Sequence, residues 1–533
     1  MSLPDRRALR GWARERGLVA LAVILAGIGL ARQWAFVTDD AFITLRYAAN
    51  LSNGQGIVWN PGEAPVEGYS NFLTLLLSAA CLALGGAPIV WLRALGAAAT
   101  VGLVLLTSAA ARRLGAGPFA AGLGSVVLAL HAPLAYWAAS GLETPLYALL
   151  GLSGLLLVAR DPALVIRPPA AACLLLAAVA RPEGPLFAGI AGIVGLVASW
   201  RRGQVKAYVR ASLPSVLALA AIYGAYFAWR VSYFGYPLPN SVYYKAGDGA
   251  RHGGELVWDF LRQNPLVTLL ALVAPWSRLG AAGALLGAVV GAHLLLFHEV
   301  VPSVAQLHRL LLPALPAAVA LAAVAVTRVA AWPRARWRQR VVLVTLWTSL
   351  CAWECLGPEI RPQVVASSGG RLATRIDARA RVAAMIYQHV EPRASVAIGD
   401  VGVVGYAYVG PILDAFGLNS VAFTHEFARA RDVYITWLHE QAPDVVVAVS
   451  RSVDEFKPRY RTDHYLTEVP GFYERFERVG VAPSARGRYH YFVFVRRDSP
   501  RRRATACPAP ALDDDPIVVI ERLRAAGEAG RCP

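Results

Sequence analysis

Residues 38–71, TDDAFITLRYAANLSNGQGIVWNPGEAPVEGYSN, set two adjacent carboxylates, Asp39 and Asp40, directly after an apolar run. An ionised carboxylate within hydrogen-bond reach of a hydroxyl can take its proton as a general base. A single base on the face opposite a departing group gives a displacement with inversion. The plainer use of the same pair is to cap the helix expected over 41–51, where anions contribute about 0.3–1 kcal/mol. One acid, Asp39, can serve as that cap while the other points inward. These residues alone leave both uses open. Arg46, Glu63 and Glu67 follow in the same stretch.

Further groups of the right types lie downstream. Glu143 follows Ser-Gly-Leu at the end of an apolar run and precedes Thr-Pro, so it reads first as a first-turn acid. Arg181 and Glu183 flank Pro182 between two short apolar runs. Snorkelling to an interface would explain them, and so would an arginine for a lipid phosphate or an Arg–Glu pair shaping a cavity. The segment YFGYPLPNSVYYK (233–245) carries two prolines that stop a helix, then Asn240, Tyr243 and Lys245. It suits a membrane anchor, and equally a groove for a sugar ring with Lys245 on a phosphate. His308 and Arg309 precede LLLPALP, and Arg309 is a second candidate cation. A divalent metal bridging acids and a phosphate is compatible with this set, but no cluster demands one, and no cofactor is required. The run GDVGVVG (399–405) has GxxGxxG spacing, which does not match a dinucleotide loop.

What must position these groups is a membrane. The chain has 533 residues, 56% hydrophobic and 16% charged, with a net charge of +17. Its mean hydropathy is +0.45 and its pI about 9.9. From Pro358 onward there are 24 Lys/Arg against 21 Asp/Glu, leaving 28 against 14 before it. The excess thus sits between apolar runs, which is the positive-inside pattern and not a nucleic-acid surface. Apolar runs of spanning length are expected over 18–37, 88–111, 118–138, 144–159, 168–180, 184–200, 211–229, 265–276, 279–298, 310–332 and 341–356. The first follows the basic segment MSLPDRRALRGWARER and reads as an uncleaved span with a cytoplasmic N-terminus.

One apolar segment breaks the charge map. Counting SNFLTLLLSAACLALGG (70–86) as a span would put Arg112 and Arg113 outside and invert every later loop. It is therefore expected as a juxtamembrane helix, the alternative being a tight hairpin at Gly85–Gly86. With that parity, Asp39–Asp40, Glu143, Arg181–Glu183, the 233–245 segment and His308–Arg309 all gather near the outer face. Polar groups are costly in hydrocarbon, and those kept near it usually line a cavity.

After residue 356 the pattern changes. ASVAI (394–398), DVVVAV (444–449) and YHYFVFV (489–495) read as strands, 375–389 as a helix, and 399–405 as a Gly-rich turn. The expected division is a transmembrane domain over 1–357 with a first outer loop over 38–87. An extracytoplasmic α/β domain over 358–500 and a polar, loosely ordered tail over 501–533 follow. The tail carries a short helix or strand near 517–524. Six cysteines lack zinc spacing. Cys507 and Cys532 can pair if the tail is extracytoplasmic.

Taken in order, DDAFI, RYA, NGQG, WNPGE, VEGYSN, SGLETPLY, RPEG, YFGYPLPNSVYYK, HRLLLPALP and GDVGVVGYAYVGPILDAFGL resemble the bacterial GT-C glycosyltransferases related to the terminal arabinofuranosyltransferase of the mycobacterial cell wall. The resemblance implies an α-helical polytopic membrane protein, a GT-C-like bundle of about 11 spans plus juxtamembrane helices, with a small extracytoplasmic α/β C-terminal domain. It implies transfer of a sugar, arabinofuranose among the candidates, from a polyprenyl-phosphate donor to a cell-envelope glycan or lipid acceptor. The setting would be the outer face of a bacterial plasma membrane. By position, Asp40 (or Asp39) becomes the base, and Glu143 the second-loop acid. Lys245 and Arg309 become cations for the donor phosphate, with His308, Arg181, Glu183, Tyr243 and Asn240 around them. Within the superfamily, transfer to a protein or to lipid A is the alternative. Outside it, a transporter for lipid-linked sugars would need charges at mid-membrane and related halves, and neither pattern is present in the sequence.

Overall fold

The computed structural model describes residues 6–246, 253–264, 271, 276–299, 308–330, 373–427, 430–483, 489–508 and 515–532. The expected span at 341–356, most of 265–276 and the expected domain boundary near 357 lie outside these residues.

Among the described residues the N-terminal part is built of helices and their connections. Its elements are α1 (Arg6–Gln33), α2 (Asp39–Ser52), α3 (Phe72–Ala83), α4 (Pro88–Arg113), α5 (Pro118–Leu130), α6 (Ala132–Ala139) and α7 (Thr144–Arg160). They continue as α8 (Pro168–Ala180), α9 (Pro185–Arg201), α10 (Val205–Phe234), α11 (Asn240–Ala246), α12 (Gly253–Gln263), α13 (Trp276–Glu299) and α14 (Leu315–Ala330). Proline opens α4, α5, α8 and α9, where its missing N–H is one the first turn would leave unpaired anyway. Gly235, at φ 80°, ends α10 in the left-handed conformation that a β-carbon would oppose.

Among the described residues, α4, α10 and the 279–298 part of α13 are long and apolar enough to cross a membrane. The pair α5 and α6, bent by 56°, qualifies as a fourth crossing if taken as one broken span. Helix α3, with 12 residues, is about 18 Å long, short of the roughly 30 Å of hydrocarbon. Length alone does not set α3 apart, because α7, α8 and α9 are also short and apolar. What distinguishes it is its start: Asn71, its N-cap, turns into the protein and bonds Glu143.

The C-terminal part is a five-stranded sheet, with β1 (Val396–Ile398), β2 (Ile412–Asp414), β3 (Val445–Ser450), β4 (Phe476–Ala482) and β5 (His490–Arg496) in the order β2-β1-β3-β5-β4. β2, β1 and β3 are parallel, and β5 is antiparallel to β3 and β4. All six residues of β3 are buried, as expected for an apolar run covered on both faces. Val445, Val447 and Val449 join the main core while Val446 and Ala448 join a second cluster, following the two-residue period of a strand. Helices α15 (Ala373–His389), α16 (Val401–Ala407), α17 (Arg431–Glu440), α18 (Arg461–Thr467), α19 (Phe472–Arg475) and α20 (Pro516–Glu528) complete this part.

Two details differ from the sequence reading. The GDVGVVG run is not an open turn, since Val401–Ala407 is helix α16, packed side by side with α2. Its glycines thin the contact: a β-carbon at Gly402 would stand 2.1 Å from the Asp39 carbonyl oxygen. The stretch from residue 501 onward holds more order than a loose tail. Asp515 caps α20, Val519, Ile520 and Leu523 are buried, and a disulfide joins Cys507 to Cys532.

Candidate active site

Helix α2 divides its two acids. Successive helical residues project about 100° apart, so Asp39 and Asp40 cannot face the same way. Asp39 turns to α16, where its oxygens accept from the backbone N–H groups of Gly402 (3.1 Å) and Val403 (2.9 Å). It also meets Arg379 Nε of α15 at 3.2 Å. Arg379 bridges on to Asp400 at 3.0 Å, and Asp400 accepts further hydrogen bonds from the hydroxyls of Tyr489 and Tyr491. Burial pushes the Asp39 carboxyl above its ordinary range, with Arg379 opposing. Burial acts the same way on Asp400, but Arg379 and the two hydroxyls outweigh it and hold Asp400 below that range. Asp39 thus caps a helix, as the plainer reading required, but the helix belongs to the C-terminal part.

Asp40 is half exposed and faces a cleft with Ile43 and Thr44, one turn further along the same side of α2. The cleft is also lined by Tyr69, Asn71, Leu142, Arg181, Ser241, Arg309 and Leu418. Its enclosed volume of about 60 Å³ admits a few waters or a group the size of a phosphate. Asp40 is the only carboxylate among the lining residues, and Arg309 Nη1 stands 3.7 Å from it.

Behind this surface sits a buried ionic cluster. Glu143, with no exposed side-chain surface, receives Arg309 at 3.0 Å and Arg181 through one oxygen. Its other oxygen receives Asn71 Nδ2 at 2.9 Å, and Asn71 in turn accepts from Thr44 Oγ1 at 2.8 Å. Arg181 also bonds Glu183. Burial would raise the Glu143 carboxyl, but Arg309 and Arg181 outweigh it and hold it down at about 2. Two guanidiniums are therefore balanced by two inner carboxylates. Arg309 is further fixed by Thr144 Oγ1 at 3.3 Å and by the Trp137 ring, 5.5 Å away.

The structure brings together Asp40, Arg309, Arg181, Glu143 and Glu183. It places the other candidates elsewhere. Asn240 ties α11 to the C-terminal part, donating to the carbonyls of Leu418 (2.8 Å) and Ser420 (3.2 Å). Tyr243 packs against Tyr236 and His425. His308, in a left-handed backbone conformation at φ 54°, is buried with its ring edge-on to Phe260 and does not line the cleft. Lys245 belongs to α11, and its side chain lies outside the described residues. No group of three or more metal-ligating side chains converges among the described residues.

Asn71, Thr44 and Arg379 were missed by the sequence reading. Asn71 ends the VEGYSN motif, directly before an apolar run, which is a signal of a capping position. Arg379 interrupts the apolar pattern of TRIDARARVAAMI, a buried-charge signal with no partner visible in the local sequence.

A family model described as a domain of unknown function (DUF8728) matches residues 370–494. The terminal beta-(1->2)-arabinofuranosyltransferase of Mycobacterium tuberculosis is 31% identical over 282 residues, 49% of this chain and 43% of that protein. The chain thus matches less than half the length of that relative. The crystal structure of ArnT from Cupriavidus metallidurans in the apo state is similar with a TM-score of 0.50, covering 91% of this chain and 98% of that one at 14% identity. ArnT bound to undecaprenyl phosphate is similar with the same score and identity, over 89% and 97%. The chain has the fold of ArnT, and over about half its length it resembles the mycobacterial arabinofuranosyltransferase in sequence.

Proposed function

We propose that this chain is a glycosyltransferase that moves a sugar from a polyprenyl-phosphate donor to a cell-envelope glycan or lipid acceptor, with inversion. The observation that carries the reading is the pairing of a half-exposed acid, Asp40, with a braced cation, Arg309, across one cleft. An acceptor O–H gives its proton to Asp40 as its oxygen forms the new bond to the anomeric carbon. The bond from that carbon to the phosphate oxygen breaks, and polyprenyl phosphate leaves. Arg309, held by Glu143, meets charge growing on the departing phosphate, a preorganised electrostatic contribution. Lys245 is the second cation of this reading. The undecaprenyl phosphate complex of ArnT supports a lipid-phosphate leaving group, and the mycobacterial relative supports arabinofuranose as the donor sugar. A Cys507–Cys532 disulfide suits an oxidising compartment and supports an extracytoplasmic C-terminal part at the outer face of a bacterial inner membrane.

The test is to incubate the purified protein in nanodiscs with a panel of labelled polyprenyl-phospho-sugars, arabinofuranose included, and a membrane glycan extract. Release of polyprenyl phosphate with transfer of label is expected. Movement of the labelled lipid between leaflets without cleavage would overturn the proposal in favour of a transporter.

A further inference from the structure

A second cleft, of about 1080 Å³, lies between the last turn of α2, the sheet domain and the C-terminal segment. Asn50 and Asn53 line it from α2 and its C-cap, and Arg393, Arg501, Arg503 and Arg524 from the other side, with Arg46 forming part of its wall. Its lining arginines, with Arg46 among them, number five against two glutamates, Glu391 and Glu528. Glu528 is already engaged by Arg524 at 2.8 Å. Arg503 directs Nε to the carbonyls of Tyr387 and Val390. Among the described residues, no carboxylate pairs with the guanidinium of Arg393 or Arg501.

An independent observation concerns Arg46. It is almost wholly buried, yet its five hydrogen bonds all end on neutral oxygens: the carbonyls of Trp59, Gly405, Tyr408 and Gly410 and the amide of Asn60. A buried charge is ordinarily paired with an opposite one. Burial, and after it the neighbouring Arg524, lower Arg46 to about 9, opposed by Glu63, whose carboxylate holds the same Asn60 that Arg46 bonds. Its five N–H groups are thereby all used, so Arg46 adds positive potential to the wall of the cleft and leaves ligand contacts to the arginines around it.

We propose that this cleft binds an anionic saccharide, one bearing carboxylate or phosphate groups. Arg393 and Arg501, with the positive potential of the other arginines behind them, meet its charges, and the exposed side-chain amide of Asn53 meets its hydroxyls. The cleft is too large for a single small ion and more polar than a lipid-chain site, which argues for a sugar-sized ligand. Asn50 lies ten residues beyond Asp40 on α2, about 15 Å along the axis. A chain bound here therefore lies within a few sugar units of the first cleft. That it presents the acceptor rests on the transferase reading, whereas its binding does not.

The experiment uses the full chain in a nonionic detergent. Oligogalacturonate is titrated against malto-oligosaccharide of equal length, by calorimetry, at low and high salt. Oligogalacturonate is expected to bind with an affinity that falls as salt rises, and malto-oligosaccharide is not. The double variant Arg393→Glu/Arg501→Glu, with both side chains outside the packed core, should weaken binding at least about tenfold with an unchanged melting temperature. Asp40→Asn should bind as the parent does, even if every transfer assay fails. Equal binding of the neutral oligosaccharide, or binding indifferent to the double variant, overturns the proposal. So does direct binding of phosphatidylglycerol nanodiscs, lost in the double variant, with no response to oligogalacturonate, which would assign the cleft to lipid headgroups.

Discussion

Replacing Asp39 and Asp40 by asparagine, one at a time, should give two different failures. Asp40 makes one long ion pair at a half-exposed position, an arrangement worth about 0–1 kcal/mol of stability. Asp40→Asn should therefore melt within a degree or two of the parent. Its loss as a base should cost about 10²–10⁴ in turnover, or roughly 3–5 kcal/mol of barrier. Asp39 differs on both counts. Its oxygens hold two backbone N–H groups and one edge of a buried guanidinium. An amide can accept only through its oxygen and turns its NH₂ toward one of those donors. Each buried donor left unmatched costs about 1–3 kcal/mol, softened here because Arg379 keeps Asp400. A net loss of about 1–3 kcal/mol corresponds to an apparent melting shift of roughly 2–12 °C for a unit of about 150–250 residues.

The assays are turnover of a labelled polyprenyl-phospho-sugar and intrinsic-fluorescence melting on the same preparations. Well below the melting point, Asp39→Asn should keep most of the parental turnover per folded molecule. Two results would refute the reasoning. One is an Asp40→Asn enzyme within about tenfold of the parent. The other is an Asp39→Asn enzyme that melts normally and is inactive, which would exchange the two roles.

Three further outcomes follow. Glu143→Gln leaves Arg181 and Arg309 without their common carboxylate, and breaking such a buried pair costs about 3–5 kcal/mol. It should lower both melting temperature and turnover, and unchanged melting in a fluorescence scan would count against the cluster. Gly402→Ala places a β-carbon 2.1 Å from the Asp39 carbonyl. It should destabilise by about 1–3 kcal/mol, while Gly189→Ala in α9, where nothing lies within 4 Å, should be neutral or better in the same scan. Burial pushes the Asp463 carboxyl up to about 7, against two backbone N–H donors. Between the ordinary carboxylate range near 4 and about 7, the folded state then binds more protons than the unfolded one. This group makes stability fall as pH rises across that window and adds no slope above it. Melting of Asp463→Asn from pH 4.5 to 7.5 should show a shallower pH slope than the parent.

The fold was legible where chemistry is local. Apolar runs bounded by proline and arginine marked the helices, and ASVAI, DVVVAV and YHYFVFV fell on β1, β3 and β5. The cluster around Glu143 was legible only as separate motifs, because Asn71, Arg181 and Arg309 reach it from segments far apart in the chain. GDVGVVG was misread for a physical reason. Glycine favours turns when nothing else constrains the chain, but here Gly402 and Gly405 are small because Asp39, Arg46 and Trp59 press against them. No local pattern distinguishes a glycine required by close approach from one required by a turn.

The same geometry accounts for the placing of charges along DDAFITLR. At 3.6 residues per turn, positions seven apart return to nearly the same direction, and positions three or four apart share a side. Asp39, Phe42 and Arg46 therefore form one face, and all three meet α16. Asp39 bonds its first N–H groups, Phe42 lies 5.8 Å from the Tyr406 ring, and Arg46 takes carbonyls at its end. The acid at the start and the cation at the end oppose the partial charges of that helix. Asp40, Ile43 and Thr44 form the neighbouring face and line the cleft. One helix thus holds the C-terminal part with one face and presents the candidate base with the next. Shifting α2 by one residue would hand Asp40 to α16 and leave the cleft without its carboxylate. For that reason, substitutions that push α16 away from α2, Gly402→Ala among them, are expected to reach the chemistry through the rotation of α2, whereas the isosteric Asp39→Asn leaves that rotation in place.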